Sequence, residues 1–213
     1  MTGILRRLFG GRRTGAEQPV VVVSGLPRSG TSMLMGMLAA GGLETLVDGV
    51  RAPDADNPLG YFELERVRQL QTGMDTAWLR DARGKCVKVI SYLLKHLPAG
   101  ERYRIVFVRR DLAEVLASQR RTLERRGEPG SDPAEDGRLA GAFAAHLSKV
   151  ARELAARAEC EVLYVDHRSV IENPRTVAEQ VNRFLGYRLD LDRMAESVDP
   201  RLYRQRAGEE SAT

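Results

Sequence analysis

The sequence predicts an α/β protein with a doubly wound, mostly parallel sheet flanked by helices. Three observations predict it. Val20 to Val23 is a run of β-branched residues, which suits a strand buried on both faces of a parallel sheet. A glycine-bounded turn and a helical pattern follow that strand directly. Three further apolar strand-like runs then alternate with helical segments, the order that lays crossover helices on both faces of one sheet.

The elements follow in order. After Val23 the chain turns sharply through Ser24 to Gly30. From Thr31 the spacing of Met33, Leu34, Met37 and Leu38 predicts a helix, which Gly41 and Gly42 end. Leu43 to Val47 reads as a short strand. The stretch DGVRAPDADNPLGY, 48–61, carries turn and loop residues. In YFELERVRQLQTGM, Phe62, Val67 and Leu70 space like one helix face. Cys86 to Ile90 (CVKVI) reads as a second buried strand with Lys88 inside it, and Ser91 to Leu97 as a short helix stopped by Pro98. Tyr103 to Val108 is the third strand. A helix follows from Leu112, with Asp111 and Glu114 at capping-box spacing. Residues 124–136 form a polar Gly/Pro-containing loop, placed where a lid would be. Asp132-Pro133 with Glu135 opens a long helix toward Arg157. Glu161 to Val165 is the fourth strand. Asn173-Pro174 starts the last main helix, with Val177, Val181, Phe184 and Leu185 on one face and Gly186 as its cap. From Asp190 the tail is mostly polar, basic at Arg201, Arg204 and Arg206.

A chain of 213 residues is long enough for one domain with a sizeable core. We place that domain at 19–207, after a disordered basic tail at 1–18 and before a frayed end at 208–213. The composition, 43% hydrophobic and 29% charged, is that of an ordinary soluble globular protein. Cys86 and Cys160 make no disulfide framework and have no metal-ligand spacing; they read as buried thiols suited to a reducing, cytoplasmic compartment. The net charge of +4 is concentrated in the tail, where four arginines oppose Glu17. The rest is nearly balanced, which argues against a nucleic-acid-binding face. The segment ILRRLFGGRR suits at most a weak contact with an anionic membrane, being too short and too charged to span one.

The chemistry begins at Gly25 to Ser32. Strand, glycine loop and helix start make a phosphate cradle, because backbone N–H groups and the helix dipole face the loop. Gly25 and Gly30 have P-loop spacing, but Thr31 stands where an ATP- or GTP-binding loop has Lys. The cation comes earlier, at Arg28, held in shape by Pro27. Such a loop, Pro27, Arg28, Ser29, Gly30, Thr31 and Ser32, suits a phosphate without a metal ion. A second motif is RIVFVRRDLAEVLASQ, 104–119. It delivers Arg110 to the sheet edge, with Ser118 about two helical turns later. A forked charged donor and a neutral hydroxyl pair well on a phosphate monoester.

The pattern PRSGTS resembles the 5′-phosphosulfate loop of sulfotransferases that use 3′-phosphoadenosine 5′-phosphosulfate (PAPS). The second motif is similar to their 3′-phosphate motif. CVKVISYLLKHLP and DHRSVIENPRTVAEQVNRFLG resemble two further segments of that family, and DNPLGYFE resembles its bacterial members. Together the likeness spans most of 19–207 in the expected order. It implies the P-loop-like sulfotransferase fold, PAPS as donor with 3′,5′-adenosine bisphosphate (PAP) as product, and in-line transfer to a hydroxyl or amine. Arg110 and Ser118 would hold the 3′-phosphate, and Lys88 with Arg28 would stabilise the leaving phosphate.

The chain also departs from the family. Ile90 stands where many members have a His, two residues after the strand Lys, and the C-terminal basic-glycine motif is missing. A carboxylate base is therefore expected, Glu63 first and Glu65 second, as in members with a Glu in an early helix. Two alternatives stay open, a P-loop small-molecule or nucleotide kinase and a non-catalytic nucleotide-binding module. The acceptor is a small molecule or glycan, its pocket expected from 48–65 and 124–136.

Overall fold

The four-valine run forms β1, Val20–Gly25, every residue of it buried. It is one of the two inner strands of a sheet that, among the described residues, has four strands, all parallel, in the order β2-β1-β3-β4. Here β2 is Cys86–Lys88, β3 is Tyr103–Arg109 and β4 is Cys160–Asp166. The structure is a computed structural model that describes residues 18–49, 60–73, 75–128 and 132–202. The expected tail at 1–17, the end at 208–213, and Arg204 and Arg206 lie outside the described residues.

Alternation along the strands assigns two cores. On one face Val21, Val23, Cys86, Val106, Val108 and Val165 meet four helices: α1 (Thr31–Ala40), α4 (His167–Glu172), α5 (Pro174–Leu185) and α6 (Leu191–Glu196). On the other, Val20, Val22, Val87, Ile105 and Phe107 meet short 3₁₀ turns and one long helix. Those turns are Glu65–Gln71, Ala77–Leu79 and Ser91–His96. The long helix is α3, Asp136–Ala155, while α2, Leu112–Arg125, links β3 to it.

Several local expectations change. The short strand at 43–47 is a single bridge, Thr45 to Cys86. The helix expected from Phe62 begins only at Glu65 and is a 3₁₀ turn burying Val67 and Leu70, while Phe62 packs against the opposite core. Strand β2 ends at Lys88, although the Val89 amide still donates to Val23 at 3.0 Å. Asp132 caps a 3₁₀ turn, Pro133–Glu135, before α3 starts at Asp136. The polar tail contains α6, whose Met194 is fully buried. Cys86 is buried and its thiol is pushed well above the ordinary range by burial, whereas Cys160 is only half-buried.

Candidate active site

The strand order reverses direction between β1 and β3. Ligands in open parallel sheets sit at that switch point, outside the carboxyl ends of the strands. The loop after β1 and the turn after β3 meet there. Arg28 lies in the left-handed region at φ 71 and Gly30 at φ 99. Gly30 has no room for more than hydrogen, because a Cβ there would lie 2.5 Å from His167 Cδ2. The Ser29 amide donates to the Leu26 carbonyl at 3.1 Å. The amides facing an anion therefore start at Gly30, in the first turn of α1, where no intrahelical carbonyl reaches them. No acidic residue lies in that turn to oppose an anion.

Three bonds tie the loop to α2 and to the turn that precedes it. Arg28 Nε donates to Ser118 Oγ at 3.1 Å, Arg110 Nη1 to the Arg28 carbonyl at 3.0 Å, and Gln119 Nε2 to the Pro27 carbonyl at 3.3 Å. Arg110 also donates through Nε to Glu114 Oε2 at 2.9 Å, with both side chains nearly buried. The capping box at this helix is thus only half made. Asp111 Oδ1 accepts from the Ala113 and Glu114 amides, but the Glu114 carboxylate turns to Arg110.

Lys88 approaches from the other side. Its buried ammonium donates to the Tyr61 carbonyl and to Ser32 Oγ at 3.4 Å, and lies 3.8 Å from Glu63 Oε1. Ser32 Oγ donates to the same Tyr61 carbonyl at 3.3 Å. The segment that carries Tyr61 and Glu63 is held by the Asp48 amide on the Glu63 carbonyl, 3.2 Å. Glu65 stands apart. Its carboxylate pairs with Arg68 at 3.3 Å on the solvent side of the 3₁₀ turn. Of the two carboxylates, only Glu63 lines the cavity.

That cavity, about 490 Å³, is lined by the loop residues 27–28 and 30–32 together with Tyr61, Glu63, Lys88, Arg110 and His167. Thr122, Leu123, Arg126, Ile171, Ser197 and Asp199 also line it. Arg201 pairs with Asp199 at 2.9 Å. Sequence reasoning missed His167, Tyr61 and Glu114. The first two come to the site only through the fold. Glu114 had a signal, since it stands four residues after Arg110 and four before Ser118. His167 is buried, and its pKa is lowered to about 4, first by burial and then by the Arg110 charge. Its imidazole is therefore neutral at pH 7.

A glycine loop at the switch point of a parallel sheet, with two arginines and a lysine around one cleft, defines an α/β protein of the P-loop-like class. Residues 18–205 match the family described as sulfotransferase domain, and the chain belongs to that family of transferases. The solved sulfotransferase domain from the Synechococcus PCC 7002 olefin synthase is similar over 92% of this chain and 90% of that one, with TM-score 0.55 and 17% identity. The sulfotransferase domain from the curacin biosynthetic pathway is similar over 85% and 78%, with TM-score 0.50 and 14% identity. Likeness at these identities is one of fold. No curated protein matches the chain.

Proposed function

We propose that this chain moves a sulfuryl group from PAPS to a hydroxyl or amine of a small-molecule or glycan acceptor, without a metal ion, in the cytoplasm. The observation that carries this reading is the hydrogen bond from Arg28 Nε to Ser118 Oγ, which joins the loop after β1 to the motif after β3. Arg28 of the loop and Arg110 of the second motif both line the cleft, which suits a donor with phosphates at both its 5′ and 3′ positions. The donor set fits such a group in two further ways. Ser29 Oγ is buried in the loop with no hydrogen-bond partner among the described residues. A Cβ at Gly25 would lie 2.4 Å from that oxygen, so only glycine leaves the cradle its shape.

When bound, PAPS supplies the sulfuryl group and a bisphosphate leaving group. Arg110 and Ser118 hold the 3′-phosphate as a charged and a neutral donor. Pro27, Arg28 and Ser29 shape the loop, and the Gly30 to Ser32 amides face the 5′ end. Glu63 accepts the proton of the acceptor hydroxyl or amine, as general base. Lys88 and Arg28 stabilise the negative charge that develops toward the leaving phosphate. These fixed cations take the part that Mg²⁺ has in kinases.

Isothermal titration with PAP tests this, with and without EDTA, on wild type and Arg110→Ala. The expected result is metal-independent binding that Arg110→Ala weakens by about 1.5–3 kcal/mol, the scale of a charged hydrogen bond. Failure of the wild type to bind PAP would remove the reading.

A further inference from the structure

We infer that Glu114 is a positioning residue that orients Arg110 through its hydrogen bond and, through its charge, keeps the 3′-phosphate group from being held too tightly. The inference rests on the reading of Arg110 and Ser118 as the 3′-phosphate subsite. It assigns a function to a buried carboxylate beside an anion site, where simple charge complementarity would exclude one.

The geometry comes first. Glu114 and Ser118 lie four residues apart along one side of α2, and Arg110, in the turn just before the Asp111 cap, reaches back to Glu114. The Glu114 side chain is 6% exposed and its Oε2 accepts from Arg110 Nε at 2.9 Å. With Nε held there, Arg110 Nη1 reaches the Arg28 carbonyl at 3.0 Å. The guanidinium is thereby fixed at two of its nitrogens, between helix and loop. Arg110 lines the cavity, and Glu114 lies behind it.

The fold does not require the charge. Asp111 already caps α2, accepting from both the Ala113 and Glu114 amides. A buried ion pair is weak evidence for stability, since desolvation offsets most of the attraction. What the charge does is electrostatic. Paired with Glu114, Arg110 presents a subsite of little net charge. A bisphosphate product must leave before the next turnover, and product release limits many enzymes. Without the carboxylate, Arg110, Arg28 and the loop amides would hold PAP longer.

The hydrogen bond and the charge separate in two variants. Glu114→Gln keeps an acceptor for Arg110 Nε and removes the charge. It is expected to bind PAP about tenfold more tightly, the low end of what one neighbouring charge does to another group's equilibrium. Its dissociation rate, followed by stopped flow, falls by a similar factor. Glu114→Ala loses the acceptor too and binds PAP more weakly than wild type. Affinity for 5′-AMP, which lacks the 3′-phosphate, stays within about twofold in Glu114→Gln, below the shift expected of a neighbouring charge. Glu114→Gln that binds PAP no better than wild type, or that tightens 5′-AMP as much as PAP, overturns the inference. If wild type binds no PAP, the subsite reading fails instead, and that is seen before any variant is made.

Should Glu114→Gln not fold, the pair is tested together. Arg110→Met leaves a lone carboxylate facing the phosphate. Adding Glu114→Met removes it, and replacing both partners of a buried pair is tolerated better than removing one. The double variant is expected to bind PAP more tightly than Arg110→Met alone. Equal or weaker binding overturns the inference.

Discussion

The imidazole of His167 lies against the glycine loop after β1. It packs against Gly30, where even a methyl would come to 2.5 Å of Cδ2. Gly30→Ala adds that contact to a residue at φ 99, and should cost about 1–3 kcal/mol for the backbone alone, measured by urea denaturation. His167 also makes stability depend on pH. Its pKa is near 4 in the folded chain, from an ordinary 6.5. The unfolded chain therefore binds the proton first. The contribution is complete above pH 6.5 and is lost as the pH falls toward 4, by up to roughly 3 kcal/mol. His167→Gln should flatten the urea midpoint between pH 7 and pH 4.5, whereas wild type loses stability across it. None of this was legible in the sequence, where His167 is one of three histidines in a polar stretch. That Arg28, Arg110 and Ser118 come together was legible, because each sits at a fixed offset from a strand end. Glu63, ranked ahead of Glu65 from the sequence, differs from it sharply in the fold. The two lie two residues apart, but one side chain meets Lys88 and the other Arg68.

At the scale of elements, legibility followed the strength of local signals. Helix α2 starts where Asp111 says it should, and Gly186 ends α5 at φ 68. Asp111→Ala should cost about 1 kcal/mol in urea denaturation, the usual loss of an N-cap. It should also weaken PAP binding, because Arg110 immediately precedes the cap. The segments misjudged are those whose form is set by distant packing. Glu65–Gln71, expected to run from Phe62, is a 3₁₀ helix pressed against the sheet, whereas the short helix expected at 91–97 is present as Ser91–His96. The strand expected at 43–47 meets the sheet only as one bridge at Cys86, through the Leu46 amide and the Glu44 carbonyl. Helix α6 has six residues, too short for a periodic signal to stand out.

Across the whole molecule, α6 connects the tail to the site. Met194 is fully buried, and a Cβ at Gly41 would lie 2.6 Å from its Cγ, so α6 seats on the end of α1. Asp190 fixes that seat from both sides. Its amide donates to the Gly41 carbonyl at 3.0 Å and its carboxylate caps α6. The chain then leaves α6 through Ser197 and Asp199, which line the cavity. Docking of α6 and the shape of the cleft are therefore linked, although α6 lies beyond every motif the sequence displays. Met194→Ala removes a core side chain and should cost about 2–5 kcal/mol. The link adds a sign that packing alone would not. On the proposed reading, PAP at a hundredfold excess over its Kd is expected to stabilise wild type by about 2.7 kcal/mol. If α6 helps to form the cleft, Met194→Ala lowers PAP affinity, and its cost is larger with PAP than without. Urea midpoints of both proteins, with and without PAP, decide it. Equal costs in the two conditions would mean that α6 supports the core and leaves the site untouched.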